Sequence, residues 1–344
     1  MTESVLGRLI DPAPLSHHAV RSTFQALVSP RSTDTDRGAL LVALALRRTT
    51  ADELAQFVRE VRRQARPFPI PSGDRPIDLC GSGGARTSSF NVSTVSAFVV
   101  AAAGLPVVKH GNRSSRGPCG SSDLLEALGL PVVESVPFSR ATYRTLKLAF
   151  LHAPLYHPAT RAVAAARRAV GIPTLFNQLG PLSNPARIAF QLVGVPDRLT
   201  AERTIRVLAR LGRSRAMTVT SVEGCDELSP KRETWAFLWS NGRLSRRTIV
   251  ARELLSPEDR RGSWTALPPR EAAEETRRIL AGGGGARRGA VLLTAGSALW
   301  TAGASPTLRR GIDRAREALD SGRAEEILDK MVEIGARYRP RRRT

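Results

Sequence analysis

Cysteine, lysine and aromatic residues are all scarce in this chain of 344 residues. The three cysteines, Cys80, Cys119 and Cys225, are far apart, odd in number and without CxxC spacing. That argues against a disulfide framework and suits reduced thiols in a cytoplasmic protein. Aromatics make up 5% of the chain, so platforms for stacking nucleobases are few. Lysine occurs only as Lys109, Lys147, Lys231 and Lys330, so the formal charge of +21 is carried almost wholly by arginine. Arginine without lysine, beside abundant alanine and glycine, fits a GC-rich coding sequence better than a DNA groove binder. Nucleic acid is therefore not the expected partner, whereas small polyanions are favoured by electrostatic steering. Apolar runs are short as well. Residues 95–108 come nearest to a membrane span but are broken by Gly104 and Pro106. Residues 1–16 carry Glu3 and lack a basic segment followed by an apolar core, so neither a signal peptide nor a membrane partner is expected.

What is present points to an α/β protein with a second, smaller domain. Residues 4–66 read as helices. Thr50-Ala51-Asp52-Glu53 fits a capping box, and Leu54, Phe57, Val58 and Val61 mark one helical face. Three prolines and a glycine between residues 66 and 73 read as a linker. From Ile77 the texture changes to strand, glycine loop, helix and strand, which implies layered α/β architecture. Residues 121–128 and 159–170 read as helices, 177–185 as a turn-rich segment, and 216–222 as a strand. Asn241-Gly242 reads as a hairpin turn. Residues 282–285 form a glycine loop, 307–336 read as helices, and 337–344 as a solvated basic tail.

Two small-residue loops follow β-like runs. The first is Gly81-Ser82-Gly83-Gly84, coupled to Asn91-Val92-Ser93-Thr94 at the head of an apolar helix. Glycines let backbone N–H groups approach phosphate oxygens, hydroxyls add donors, and a helix N-terminus adds positive potential. The second is Lys109-His110-Gly111-Asn112-Arg113, which leads to Gly120-Ser121. Cationic and amide side chains around one glycine, after an apolar strand, suit ligand binding. Asp226-Glu227 follows a strand and Gly224. Adjacent carboxylates beside a phosphate loop suit Mg²⁺, which takes oxygen ligands and bridges to substrate phosphates. His157 lies near a helix start, and Arg167 could pair a carboxylate bidentately, but beside Arg168 pattern alone favours reading it as a surface residue.

These strings together resemble the anthranilate phosphoribosyltransferase family over nearly the whole chain. Phe176-Asn177, Leu179-Gly180-Pro181-Leu182 and Asn184-Pro185 carry the resemblance further, as does Gly224-Cys225-Asp226-Glu227. Several of these strings are shared with pyrimidine nucleoside phosphorylases. The resemblance implies a small, mostly helical domain over residues 1–70, with roughly 155–185 packing onto it. It also implies a large α/β domain with a central sheet over 74–154 and 186–336, of the nucleoside phosphorylase/phosphoribosyltransferase type. It implies a homodimer acting on phosphoribosyl pyrophosphate (PRPP) with Mg²⁺. Carried over residue by residue, Gly81, Ser82, Gly83, Gly84, Asn91, Ser93, Thr94, Lys109, Gly120 and Ser121 would hold the donor. Asp226 and Glu227 would bind Mg²⁺ with help from Ser93. His110, Asn112, His157 and Arg167 would face the acceptor. No general acid or base is assigned.

The chain departs from the family pattern at several places. Ala85 stands where an Asp is usual, Thr220-Ser221 where His-Gly is usual, Pro173 for an Arg, Pro118 for a Lys and Thr294 for an Asn. Anthranilate is the default acceptor. Phosphoribosylation of an aminoglycoside such as neamine, in antibiotic biosynthesis, is the alternative, and a non-catalytic nucleic-acid binder is the alternative of another class.

Overall fold

The computed structural model describes residues 2–47, 49–82, 89–114 and 117–338. The chain opens with four helices, α1 (Thr2–Ile10), α2 (His17–Val28), α3 (Asp34–Leu46) and α4 (Ala51–Arg63). Thr50 and Glu53 form the expected capping box at the head of α4. A linker then leads to β1 (Ile77–Gly81), α5 (Val92–Ala102), β2 (Val107–Gly111), α6 (Ser121–Ala127), α7 (Val136–Leu146) and β3 (Leu148–His152). Next come the short helix α8 (Ala153–Tyr156), a 3₁₀ segment (Pro158–Val163), α9 (Ala164–Val170) and α10 (Leu175–Leu182). The chain returns to the sheet with β4 (Phe190–Gly194), α11 (Arg198–Arg210), β5 (Arg215–Ser221), β6 (Glu233–Ser240) and β7 (Arg243–Val250). It closes with α12 (Ala251–Leu254), α13 (Pro269–Leu280), α14 (Ala286–Thr301), α15 (Leu308–Asp320) and α16 (Arg323–Ala336).

The sheet runs β3-β2-β1-β4-β5-β6-β7. Pairing is parallel from β3 through β5 and antiparallel between β5, β6 and β7. Asn241 and Gly242 both take positive φ, 50° and 75°, in the tight turn between β6 and β7, as the Asn-Gly dipeptide predicts. Alternate residues of β4 and β5 feed two of the three apolar clusters. Leu192, Met217 and Val219 pack against α5, α14, α15 and α16, while Val193 and Ala216 pack toward α4, α10 and α11. A helical layer beside a larger α/β layer with a central sheet is the fold class read from the sequence.

Two local expectations are corrected. The turn-rich reading of 177–185 gives way to α10. Thr174 takes Asn177 as a reciprocal cap, and Leu175, Phe176, Leu179 and Leu182 are buried along it. Pro181 falls in the last turn, where the loss of a single ladder bond is outweighed by that burial. The helix read over 159–170 is split. Pro158 starts a 3₁₀ stretch, the Thr160 hydroxyl donates to the His157 carbonyl at 2.8 Å, and α-helix begins only at Ala164. This break lies beside the cavity described next.

Candidate active site

The strand order reverses direction between β1 and β4, and a cavity of about 480 Å³ opens past the carboxyl ends of β1 and β2, where the turn after β5 also reaches it. This is the crevice where open α/β sheets bind ligands. Its walls come from both parts of the protein, with Val61 on α4 and Arg167 on α9 facing loops of the sheet. Gly83, Gly84 and Ala85 lie outside the described residues. The other residues singled out from the sequence all line this one cavity: Gly81, Ser82, Asn91, Ser93, Thr94, Lys109, His110, Asn112, Gly120, Ser121, His157, Arg167, Asp226 and Glu227.

The head of α5 forms one wall. Nine of its residues, from Val92 to Val100, are buried, so the helix is fixed by its apolar body and its N-terminus is held at the cavity. The Asn91 side-chain amide donates to the Cys119 carbonyl at 3.0 Å and ties the neighbouring loop to this helix. That loop is organised by Asp123, whose carboxylate accepts the Ser114 and Gly120 backbone N–H groups at 2.9 and 2.8 Å and pairs with Arg113 at 2.9 Å. These contacts hold the Asp123 carboxyl below the usual carboxylate range against the opposing effect of burial. Ser121 adds a clasp, donating from Oγ to the Asn112 carbonyl and accepting the Asn112 N–H, both at 3.1 Å.

Asp226 and Glu227 are presented by a turn after β5. The Ser221 backbone N–H donates to the Cys225 carbonyl at 3.0 Å, and the Ser221 hydroxyl accepts the Cys225 N–H at 3.2 Å. One of the residues that departs from the family pattern therefore builds the turn that carries the acidic pair. Both carboxylates are largely buried. Burial, and then the neighbouring Asp226 charge, push the Glu227 carboxyl up to about 8, while Lys109 and hydrogen bonds from Ser93 pull the other way. Two buried carboxylates and a hydroxyl form an all-oxygen donor set, which fits a hard divalent cation.

Gly194, at the end of β4, permits this arrangement. A Cβ there would stand 1.6 Å from the Asp226 carbonyl oxygen, which belongs to backbone and has nowhere to go. Gly194→Ala should therefore destabilise the fold by about 2–3 kcal/mol, measured by urea unfolding. A loss under about 0.5 kcal/mol would show that the acidic turn is mobile enough to yield.

The remaining wall is cationic and aromatic. Lys109 is buried, and its amine donates to the Leu79 carbonyl at 2.6 Å and to Ser93 Oγ at 3.2 Å. His110 and His157 meet edge to face, 5.0 Å between ring centres, with His110 Nδ1 3.2 Å from the Gly180 carbonyl. Burial first, and then the adjacent His157, hold His110 well below the ordinary histidine range; burial brings His157 to about 4. Both rings are thus neutral near pH 7. His110 Nε2 is buried without a hydrogen-bond partner among the described residues. Arg167, ambiguous in the sequence, lies in the cavity wall with its guanidinium 5.4 Å from the Phe176 ring centre. Among the described residues it makes no ion pair with a carboxylate.

Sequence reasoning did not assign Phe176, Asn177, Gly180 or Thr160, which also line the cavity. The first three stood in the Phe176–Pro185 string, so a signal was present; Thr160 had none. Of the departures from the family pattern, Pro118 lines the cavity, whereas Pro173, Thr220, Ser221 and Thr294 do not.

Comparisons with known proteins identify the family. A model of the glycosyl transferase family a/b domain matches residues 73–325, and a model of that family's helical bundle domain matches residues 3–65. The chain is 36% identical to an anthranilate phosphoribosyltransferase of Persephonella marina, over 97% of this chain and 98% of that protein. The chain belongs to the anthranilate phosphoribosyltransferase family. A relative from Desulfitobacterium hafniense is 40% identical over 89% of this chain and 91% of its own length. Among solved structures, the family's Thermus thermophilus member superposes with a TM-score of 0.88 at 34% identity, covering 96% of this chain and 99% of that one. A Saccharomyces cerevisiae member, solved with PRPP and Mg, gives 0.81 at 25% identity over 98% of both chains.

Proposed function

We propose that this chain transfers 5-phosphoribose from PRPP to anthranilate and releases pyrophosphate. The observation that carries the reading is one cavity holding the Asp226–Glu227 pair, the N-terminus of α5 and the carboxylate-free Arg167 together. Asp226 and Glu227, with Ser93, would hold Mg²⁺, which supplies charge neutralisation for the diphosphate. Gly81, Ser82, Gly83, Gly84, Asn91, Thr94, Gly120 and Ser121 would hold the phosphates and ribose, with Lys109 beneath them. His110, Asn112, His157 and Arg167 would receive the acceptor.

The chemistry follows from where charge moves. The bond between the anomeric carbon and the diphosphate oxygen breaks as the amine nitrogen forms its bond to that carbon. Negative charge gathers on the leaving group, beside fixed backbone dipoles. The side chains of the acceptor wall orient the amine toward the sugar, which lowers the barrier by positioning. The attacking nitrogen sheds its proton after the bond forms. An aryl ammonium is acidic enough to give that proton to water, so neutral His110 and His157 serve as polar walls rather than as obligatory bases.

The arginine wall also bears on the acceptor. Arg167 suits an anionic carboxylate, whereas a polycationic aminoglycoside would meet repulsion there. Incubation with PRPP, Mg²⁺ and a panel containing anthranilate and neamine, read by product mass, tests the reading. Anthranilate should be consumed with stoichiometric pyrophosphate. Consumption of neamine alone would overturn the acceptor assignment. Salt-sensitive DNA binding without pyrophosphate release would overturn the enzyme itself.

Exposed Ile10, Val42 and Leu46 lie on α1 and α3, which pack together, and they suit a second copy of this chain. Light scattering should give twice the monomer mass. A cytoplasmic setting suits the three free thiols. No helix among the described residues is long and apolar enough to cross a membrane.

A further inference from the structure

β1 and β2 share a single register pair, Ile77 with Val107, whereas β1 shares five with β4 and β2 shares five with β3. Beyond that pair polar side chains fill the seam between the two strands. Asp78, 0% exposed, accepts the His110 backbone N–H through Oδ1 at 3.2 Å and the Gln191 side-chain amide through Oδ2 at 3.2 Å. Asn184 donates to the Val108 carbonyl at 2.8 Å, and Lys109 crosses to the Leu79 carbonyl at 2.6 Å. Thus β2 is joined to β1 and its neighbours by side chains just where it delivers Lys109 and His110 to the cavity.

A carboxylate in such a place is unfavourable unless cations and donors surround it. Burial raises the Asp78 carboxyl, opposed by Lys109, by the hydrogen bonds of Asn184 and His110, and by Arg213. Arg213 is itself held by the Gln191 side-chain oxygen at 3.1 Å. Well-packed apolar residues could join two strands as firmly, so stability alone does not account for an acid at this point. Asp78 does not line the cavity, but His110, whose backbone N–H it accepts, and the neighbouring Lys109, whose charge opposes the effect of its burial, both do.

We propose that Asp78 is a positioning residue for phosphoribosyl transfer: wedged between β1 and β2, it sets the heights and directions of Lys109 and His110 at the cavity floor. The inference rests on the transferase reading above. Lys109 and His110 would contact the substrates both before and during the reaction, so their misplacement should weaken binding more than it slows the bound complex.

The test measures kcat and both KM values for wild type, Asp78→Asn and Gln191→Met, each with a thermal melt and circular dichroism. Asp78→Asn keeps the shape and removes the charge. Gln191→Met leaves the charge and removes one of the hydrogen bonds to it, together with the Gln191 contacts to Arg213 and to the Pro181 carbonyl. The expected result is a folded Asp78→Asn with the KM for PRPP and for anthranilate raised at least tenfold and kcat changed less than threefold. Gln191→Met should move the same constants in the same direction by about threefold. A folded Asp78→Asn with unchanged KM values overturns the role, as does a fall in kcat alone that tracks the folded fraction. If Asp78→Asn does not fold, Gln191→Met decides by the same KM criterion. If neither variant folds, Asp78 serves folding and the positioning role is overturned. A wild-type chain that consumes neither substrate overturns the transferase reading, and this role with it; an active wild type beside an unaffected variant overturns this role alone.

Discussion

Replacing Glu227 by Gln should lower turnover by about two to three orders of magnitude without unfolding the protein. The substitution preserves volume and leaves Asp226 in place, but it removes one of two charges that would hold Mg²⁺ against the diphosphate. The effect on stability has a definite sign. Burial and Asp226 raise the Glu227 carboxyl from its ordinary 4.5 to about 8. A raised carboxyl contributes stability that is complete below the ordinary value and is lost as pH climbs through the raised one. Without a divalent cation, the wild-type melting temperature should therefore fall between about pH 4.5 and pH 8, and Glu227→Gln should lack that component of the fall. Mg²⁺ should restore the wild type at pH 8 and do much less for the variant. Melts across that range with and without Mg²⁺, beside pyrophosphate release, check both parts. Near-wild-type turnover would remove Glu227 from the metal site.

Much of this arrangement was legible before the fold was known, and the reason is local. The Gly81 loop, the Asn91–Thr94 segment, the Lys109–Arg113 string and the Asp226–Glu227 pair each follow a strand or open a helix. Parallel strands then gather their carboxyl ends at one edge of the sheet without further instruction. What depended on distant partners was harder to read. Arg167 looked like a surface residue because its neighbour Arg168 is as basic; only the arrival of Phe176 from α10 makes it part of a wall. Asp78 sat inside Ile77-Asp78-Leu79, where alternation suggests an outward face. Its burial is imposed by Gln191 on β4 and the His110 backbone on β2, neither of which its own stretch of chain announces. α10 was hidden by Gly180 and Pro181, strong breakers in isolation, which the buried Phe176, Leu179 and Leu182 override. The pattern is consistent: residues whose roles are set by backbone geometry were visible, and those whose roles are set by packing across elements were not.

Arg167→Met should raise the KM for anthranilate about thirty- to hundredfold, equivalent to about 2–3 kcal/mol of a charge-assisted pair, with kcat within a few-fold of wild type. The guanidinium is partly desolvated, and burial holds its pKa below the usual arginine range. It has therefore given up hydration that an anionic ligand would replace. The Phe176 face holds it in place, which reduces the entropy lost when a carboxylate docks against it. The acceptor carboxylate keeps its charge throughout the reaction, so the contact is equally strong before and during bond formation, and its loss falls on KM. Methionine retains the aliphatic packing against Phe176, which separates loss of the ion pair from collapse of the wall. Aniline, which offers the same amine without the carboxylate, supplies the control: its use should be weak in the wild type and unchanged by the substitution. Equal losses for anthranilate and aniline would show that Arg167 supports the wall and binds no carboxylate. A loss confined to anthranilate, only partly recovered by Arg167→Lys because a point charge lacks the planar fork, would assign the acceptor's acid group to this residue.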